Sequence, residues 1–600
     1  MSATVTTTVR NLLTDGRYYY SYGIVVPTTA SGVRAVSNGQ ELTVTRSASD
    51  SADFEYATVD FAPLHHGNSR TIEWSYTIEG SPVRSADITR VGDGYATFPV
   101  SGFGDAGQVT IEVLVPLSMR LAYTDADITF TQSRSGQTAT YTADLDTVGD
   151  GISAFVSARD PQRADARTVE VDDISLSLLS FPGDDAWATF VEEHITAGLP
   201  VQEEIIGTPW PGGLQTIRED VSPTVLGYAW FDPRAEEIVV PETLDASTLF
   251  HELGHAWFNG ESFYERWLYE GLTESVAHRV LEATGTDGTP RPRPDRNDAA
   301  ALPLNSWNER DEQSPGYDPA QEDYAYAASA AAVDDLLADL AAKTVATVLS
   351  AAVAGESGYE RPGSDGAVLT DWRRFLDLVE IRGGNEEAAS VMRTWVADPE
   401  DAALLDERAE ARDVYVQVDQ ADAGWQPPAG IRGAMTAWRF DDATSALSEL
   451  GSAPAAAASV QEAAARAEVP VPEAVRDIYE DAEEPGEYAA AEATLARAAE
   501  TIELVGEVTA AARVDRDPVT ELGEALLGVP RVAASARHDL AAGDLDGAAV
   551  QSDTAQDRAG YALVAGSAVV VALLVCLAVV VANGYRLARA RRVTRHPGRR

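Results

Sequence analysis

The chain has 600 residues, which is more than one hydrophobic core normally serves, so several domains are expected. Its formal net charge of −50 arises from 95 Asp and Glu against 45 Lys and Arg, a balance that repels nucleic-acid phosphates and anionic lipid. Nucleic acid is therefore excluded as an expected partner. The single cysteine, Cys576, lies in an apolar run and excludes both an internal disulfide and a thiolate metal cluster.

Residues 1–178 are predicted to form a β-sandwich domain. Short segments in this region alternate or run apolar, and clusters of Gly, Asp, Asn and Ser separate them. The predicted strands are 18–26, 41–45, 71–78, 109–115 and 138–145. His65 and His66 are adjacent, but no third ligand is near them in the sequence, so they are interpreted as surface or packing residues.

Residues 179–400 are predicted to form an α+β domain. A helix over 184–206, capped by Asp184 or Asp185, precedes short strands at 214–218, 226–231 and 237–240. Helices then continue to about residue 400. Strands that are followed by helices, rather than alternating with them, are typical of the α+β class.

The C-terminal third is predicted to be helical and to end in a membrane anchor. Residues 401–555 are rich in Ala, Glu and Arg and suit a helical region or stalk. Residues 559–585 carry no charge and are long enough to cross a bilayer. The tail, 586–600, contains seven Arg and no acidic residue, which places it in the cytoplasm by the positive-inside rule. A single-pass protein of the cell membrane is expected, with its large N-terminal part outside.

The N-terminal residues complicate this topology. Residues 1–10 have no apolar signal-peptide core, which an exported domain requires. Either the true start lies upstream and the chain is truncated, or the protein is tail-anchored with its bulk in the cytoplasm. The first interpretation is favoured because residues 5–9 look like a strand that is entered midway.

A metal site is predicted from residues 251–274, HELGHAWFNGESFYERWLYEGLTE. If residues 246–258 form a helix capped by Asp245 or Ser247, His251 and His255 lie one turn apart on the same face. Two imidazoles so placed can bind one Zn²⁺. Glu252 lies roughly 100° around that helix, where it could move a proton to and from a water at the metal.

The third protein ligand is expected on the next helix, over about 264–281. Glu270 is the candidate, and Glu274, one turn later, could accept a hydrogen bond from a ligand histidine and fix its tautomer. The competing interpretation is an amphipathic helix with incidental His and Glu, because HExxH alone is a short pattern. The apolar residues before it, Trp257 after it and the second carboxylate-bearing segment weigh against that interpretation.

The segments HELGHAWF and WLYEG resemble the gluzincin metallopeptidases, most of all the aminopeptidase-N-like (peptidase MA-like) family. The resemblance covers roughly residues 1–400 and is weak outside the motif. It implies a thermolysin-like α+β catalytic domain, with His251, His255 and Glu270 as ligands of Zn²⁺. It also implies Glu252 as general base and acid, and a peptide or protein as substrate.

Three departures from the family pattern qualify the resemblance. The family places about eighteen residues between the second His and the ligand Glu, whereas 14 lie between His255 and Glu270 here; a count of eighteen would select Glu274. The family's Gly-x-Met-Glu-Asn segment, which binds the substrate amine, corresponds here to residues 227–231, without the Glu. Aminopeptidase specificity is therefore doubtful.

The third departure concerns the family's tyrosine before Lys-Gly, whose hydroxyl stabilises the oxyanion. The matching segment is 323–328, in which Tyr326 is the candidate and Tyr324 the reserve. The leading prediction is a membrane-anchored zinc peptidase. The alternative is a catalytically degraded, metallopeptidase-like ectodomain that serves as a surface binding or adhesion module. The intact HExxH and Glu270 favour the enzyme, because binding alone does not require Glu252.

Overall fold

The computed structural model describes residues 1–85, 87–104, 108–123, 129–145, 152–211, 214–221, 230–232, 237–307, 317–364 and 369–593. The chain divides into two compact units. The first comprises Met1–Glu356 and Asp365–Asp398, and the second comprises Ser357–Ser364 and Pro399–Arg600. The predicted boundary at residue 400 lies next to this division.

The first seven strands form two facing sheets. They are β1 (Ser2–Arg10), β2 (Tyr19–Pro27), β3 (Ala30–Ser37), β4 (Gln40–Leu42), β5 (Val44–Ala48), β6 (Phe54–Leu64) and β7 (Ser69–Ile78). One sheet has the order β1-β7-β3-β4 and the other β2-β6-β5. Their inward residues, including Val26, Ala57 and Trp74, share one hydrophobic cluster. His65 and His66 are exposed, and the His65 ring lies 5.6 Å from that of Tyr18.

The next seven strands form a second pair of sheets with its own core. They are β8 (Arg90–Gly92), β9 (Tyr95–Gly102), β10 (Val109–Pro116), β11 (Arg120–Tyr123), β12 (Thr131–Ser135), β13 (Thr138–Leu145) and β14 (Ile152–Arg159). The sheets β10-β13-β12 and β11-β14-β9-β8 enclose a separate cluster that includes Phe98, Val113 and Val156. The sequence predicted a single sandwich, whereas the structure has two. Alternating strands have the same pattern whether they share one core or divide between two.

A mixed sheet of five strands follows. Its strands are β15 (Asp165–Val171), β16 (Ile174–Ser180), β17 (Thr216–Asp220), β18 (Trp230–Asp232) and β19 (Glu237–Pro241), in the order β15-β16-β17-β19-β18. The predicted domain boundary at residue 178 falls inside β16, which pairs in parallel with β17. β18 is an edge strand, antiparallel to β19.

Helices pack with this sheet in the first unit. They are α1 (Asp185–Ile206), α2 (Ala246–Gly254), α3 (Arg266–Thr284), α4 (Pro319–Leu336), α5 (Ala342–Val353), α6 (Trp372–Asp377) and α7 (Ala388–Trp395). Short 3₁₀ turns lie at Pro161–Arg163 and Leu304–Ser306, and a π turn at Leu378–Arg382. Asp184 caps α1, because its Oδ1 accepts from the amide of Trp187 at 3.0 Å. The α1 crossover joins β16 to β17 and thereby allows their parallel pairing.

In the described part of the second unit, the regular secondary structure is helical. Its helices are α8 (Pro399–Ala421), α9 (Ala429–Thr436), α10 (Phe440–Glu449), α11 (Ala453–Ala467), α12 (Glu473–Glu480), α13 (Pro485–Ala511), α14 (Pro518–Leu527), α15 (Val529–Ala541), α16 (Leu545–Gly560) and α17 (Ala562–Val593). Small apolar residues, mostly Ala and Val, fill the spaces between them.

The last helix, α17, is apolar and almost wholly exposed. The stretch Ala562–Arg591 is long and apolar enough to cross a membrane by length and composition, and only 6% of its most apolar window is buried. Its first turns pack on α14 through two glycines. A Cβ on Gly523 would lie 1.7 Å from the carbonyl oxygen of Ala562, and a Cβ on Gly566 would lie 1.8 Å from that of Val519. Tyr561 and Tyr585, which are 68% and 71% exposed, flank the apolar stretch.

Candidate metal centre

Helix α2 brings the first two motif residues to one place. Its N-cap is Asp245, whose carboxylate accepts from the amide of Ser247 at 3.3 Å. The helix ends at Gly254, whereas the sequence predicted that it would continue to residue 258. His255 keeps a helical backbone as the C-cap residue, so its ring still meets that of His251, with centroids 4.9 Å apart and planes at 85°.

The early end of α2 gives His255 a main-chain partner. After Gly254 the chain tightens, and the amide of Trp257 donates to the carbonyl of Gly254 at 3.0 Å. Trp257 is buried, and its Nε1 donates to the carbonyl of Pro209 at 3.0 Å. This turn places the carbonyl oxygen of Phe258 2.9 Å from Nδ1 of His255. A main-chain acceptor leaves no residue-type signal, and the sequence analysis missed it.

Helix α3 carries the third candidate ligand to the two imidazoles. Oε2 of Glu270 lies 3.3 Å from Nε2 of His251 and 3.6 Å from Nε2 of His255. A tetrahedral zinc ion with bonds of about 2.0–2.1 Å separates its ligand atoms by about 3.3–3.4 Å. This Oε2 is also buried without a hydrogen-bond partner. The donor set and its spacing therefore fit Zn²⁺.

Glu274 lies behind His251 rather than among the converging atoms. Its Oε2 accepts from Nδ1 of His251 at 2.8 Å, and its Oε1 is 3.2 Å from Nε2 of His278. Nδ1 of His278 in turn lies 3.8 Å from a carboxylate oxygen of Asp334. Because acceptors engage Nδ1 of both motif histidines, Nε2 is the nitrogen of each ring that faces Glu270.

The electrostatics of the centre favour positive charge on His251 and a neutral ring on His255. Burial opposes a charged His251, but the carboxylates of Glu270 and Glu274 outweigh burial and raise the pKa of His251 to about 10. Burial lowers the pKa of His255. Burial also disfavours an ionised Glu270, but the two imidazoles outweigh it and lower the pKa of that carboxyl. A bound cation would be stabilised by the same carboxylates.

Glu252 has the surroundings of a proton-transfer group. Burial, reinforced by the neighbouring carboxylates, raises its pKa to about 8. One of its oxygens is buried without a hydrogen-bond partner. Candidate ligand atoms of His251, Glu252 and His255 all lie within 4.8 Å of one another. A carboxyl group with a pKa near neutrality is well matched to general base and acid chemistry.

The two candidate tyrosines of α4 have different neighbours. The hydroxyl of Tyr326 accepts from Arg266 at 2.9 Å, and Arg266 also donates to Glu322 at 2.6 Å. Burial and the charge of Glu270 raise the pKa of Tyr326, so its phenol is within electrostatic reach of the third candidate ligand. Tyr324 interacts electrostatically with the segment 295–298 instead. The sequence analysis missed Arg266, although its position one turn before Glu270 on α3 was a usable signal.

The predicted substrate-strand segment is only partly described. Residues 227–229 lie outside the described residues. Residues 230 and 231 belong to the edge strand β18.

No protein-family model matches the chain, and no curated protein matches it. Among solved structures, the chain is similar to an M1 zinc metallopeptidase from Deinococcus radiodurans, with 19% identity, a TM-score of 0.31, and coverage of 67% of this chain and 91% of that one. A mutant of the Deinococcus radiodurans enzyme matches with 18% identity, a TM-score of 0.32, and coverage of 66% and 90%. At these scores, similarity alone assigns neither a family nor an activity.

Proposed function

We propose that this chain is a zinc-dependent peptidase held in a membrane by α17. The observation that supports it most is that Oε2 of Glu270, which has no hydrogen-bond partner, lies within 3.6 Å of both Nε2 of His251 and Nε2 of His255. These three residues would hold Zn²⁺. The bound ion would supply Lewis-acid polarisation of the scissile carbonyl and lower the pKa of a water.

The remaining chemistry falls to side chains of this chain. Glu252 accepts the proton of the attacking water through its unpartnered oxygen and delivers it to the leaving amine. Tyr326 is proposed to donate its hydroxyl hydrogen to the oxyanion that develops on the scissile carbonyl. Its hydroxyl oxygen already accepts from Arg266, which holds the phenol in place and leaves the hydrogen available.

Zinc content and turnover test this proposal together. The purified chain should contain one equivalent of zinc that a chelator removes, and peptide-library cleavage should disappear with the metal. Glu252→Gln should keep the zinc and lose turnover by at least about 10²–10⁴-fold, because an amide cannot take the proton. The double variant of His251→Ala and His255→Ala should lose zinc as well. Stoichiometric zinc in the double variant would disprove the ligand assignment.

The membrane assignment has its own test. The apolar stretch of α17 and the arginines that follow it support a single pass with the tail in the cytoplasm. Protease added to intact cells should remove the acidic part that precedes α17 and leave a protected fragment with the arginine-rich tail. If the candidate metal centre is fully protected, the protein is tail-anchored with its bulk inside.

A further inference from the structure

Arg291, in the segment between α3 and α4, lies against the candidate centre. Its backbone amide donates to Oε1 of Glu274 at 3.5 Å. Its guanidinium carbon lies 4.7 Å from the centre of the Tyr326 ring. Arg291 thus lies against the ring of the candidate oxyanion donor and beside Glu274 of the candidate centre.

The guanidinium of Arg291 forms no ion pair with any residue that the structure describes. The neighbouring arginines are paired: Arg266 with Glu322 at 2.6 Å, and Arg293 and Arg296 with Asp335 at 2.6 and 3.7 Å.

Arg291 is also exposed, so a ligand can reach it. Arg266 is less available, because it is ion-paired with Glu322, its Nη2 also donates to Tyr326, and its guanidinium lies over the ring of Trp307. A guanidinium presents planar donors that match a carboxylate in a bidentate pair.

From this geometry we infer that Arg291 binds a carboxylate of the peptide substrate close to the scissile bond. The inference rests on the proposed peptidase function and names its substrate class, which is peptides with a negative charge near the point of cleavage. The carboxylate is either the C-terminal one or that of an Asp or Glu side chain. Both present the same two oxygens to the guanidinium.

Binding to the zinc-loaded full chain carrying Glu252→Gln separates recognition from turnover. The probes are N-acetylated alanine tetrapeptides in matched pairs, and calorimetry measures their affinity. One pair differs by a C-terminal carboxylate or amide, and the other pairs differ by Asp or Asn at one position. We expect tighter binding of the acid member in one kind of pair, which identifies the source of the carboxylate.

Adding Arg291→Gln should weaken binding of the acid member about tenfold to a hundredfold, which is the range for a charge-assisted hydrogen bond. The affinity for the neutral member should not change. Arg291→Lys should retain part of the preference, because it keeps the charge and loses the bidentate geometry. Arg293→Gln is the matched control: this residue is exposed, lies two positions away and is already paired with Asp335. It should not alter the preference.

Each result bears on a different proposal. Equal weakening of acid and neutral members would mean that Arg291 only supports the Tyr326 ring, and would overturn the inference. The inference would also be overturned if the Glu252→Gln chain with native Arg291 bound both members of each pair equally, or bound no carboxylate peptide. A chain with native Glu252 that cleaves neutral and acidic peptides alike retains the peptidase function without the carboxylate site. If the Glu252→Gln chain prefers the acid members while the chain with native Glu252 cleaves nothing, the carboxylate site is present and the peptidase function is wrong.

Discussion

Gly271, the last residue of WLYEG, is expected to set the position of Glu270 through helix packing. A Cβ at Gly271 would lie 2.5 Å from the carbonyl oxygen of Ser329 and 2.9 Å from Cγ2 of Val333, both on α4. Ordinary contact begins at 3.4 Å, so Gly271→Ala requires α3 and α4 to separate by about 0.9 Å. Glu270 moves with α3 and Tyr326 with α4.

Gly271→Ala should change fold stability through two opposing contributions, and it should also lower zinc affinity. Overpacking costs about 1–3 kcal/mol, and the better helix propensity of Ala returns about 1 kcal/mol, so a net loss of about 0–2 kcal/mol is expected. Zinc affinity should fall more clearly, because the displacement of Glu270 is large compared with the tolerance of a metal bond. Thermal unfolding and chelator competition measure the two effects.

Gly433→Ala provides the matched control. Gly433 lies inside α9, and a Cβ there would have nothing within 4 Å. This substitution should therefore stabilise its helix by up to about 1 kcal/mol and leave zinc affinity unchanged. If Gly271→Ala behaves in the same way, the close approach of α3 and α4 does not position Glu270, and the reasoning is refuted.

Two further outcomes follow from the buried carboxylates. Glu274→Ala should weaken zinc binding by roughly 10–100-fold. Glu270→Ala should weaken it much more. Chelator competition measures both affinities, and the reverse order would make Glu274 the ligand. Burial raises the pKa of Glu219, which is fully buried, to about 9. The folded state therefore keeps a proton that the unfolded chain loses above about pH 4.5, so stability should fall as pH rises from about 5 to 9. Glu219→Gln should flatten that decline in pH-dependent melting of the full chain, and an equally steep decline in the variant would contradict the assignment.

The sequence alone was enough to propose the candidate ligand set. His251, Glu252 and His255 are four residues apart or closer, and one helical turn fixes their relation whatever surrounds them. The structure brings Glu270 to the same point and Glu274 to Nδ1 of His251. The apolar run that became α17 was equally visible, because its composition is continuous along the chain. These features depend on residue type and local spacing.

Tertiary structure decided what depends on distant segments. The number of β cores is set by which strands face one another, and the alternation of side chains is the same for one sandwich or two. The partner of His255 is the main-chain carbonyl of Phe258, available only because the chain turns after Gly254. Arg291 approaches the centre from a segment outside both motif helices. No spacing in the sequence predicts this position, because packing of that segment against α3 and α4 determines where the guanidinium lies.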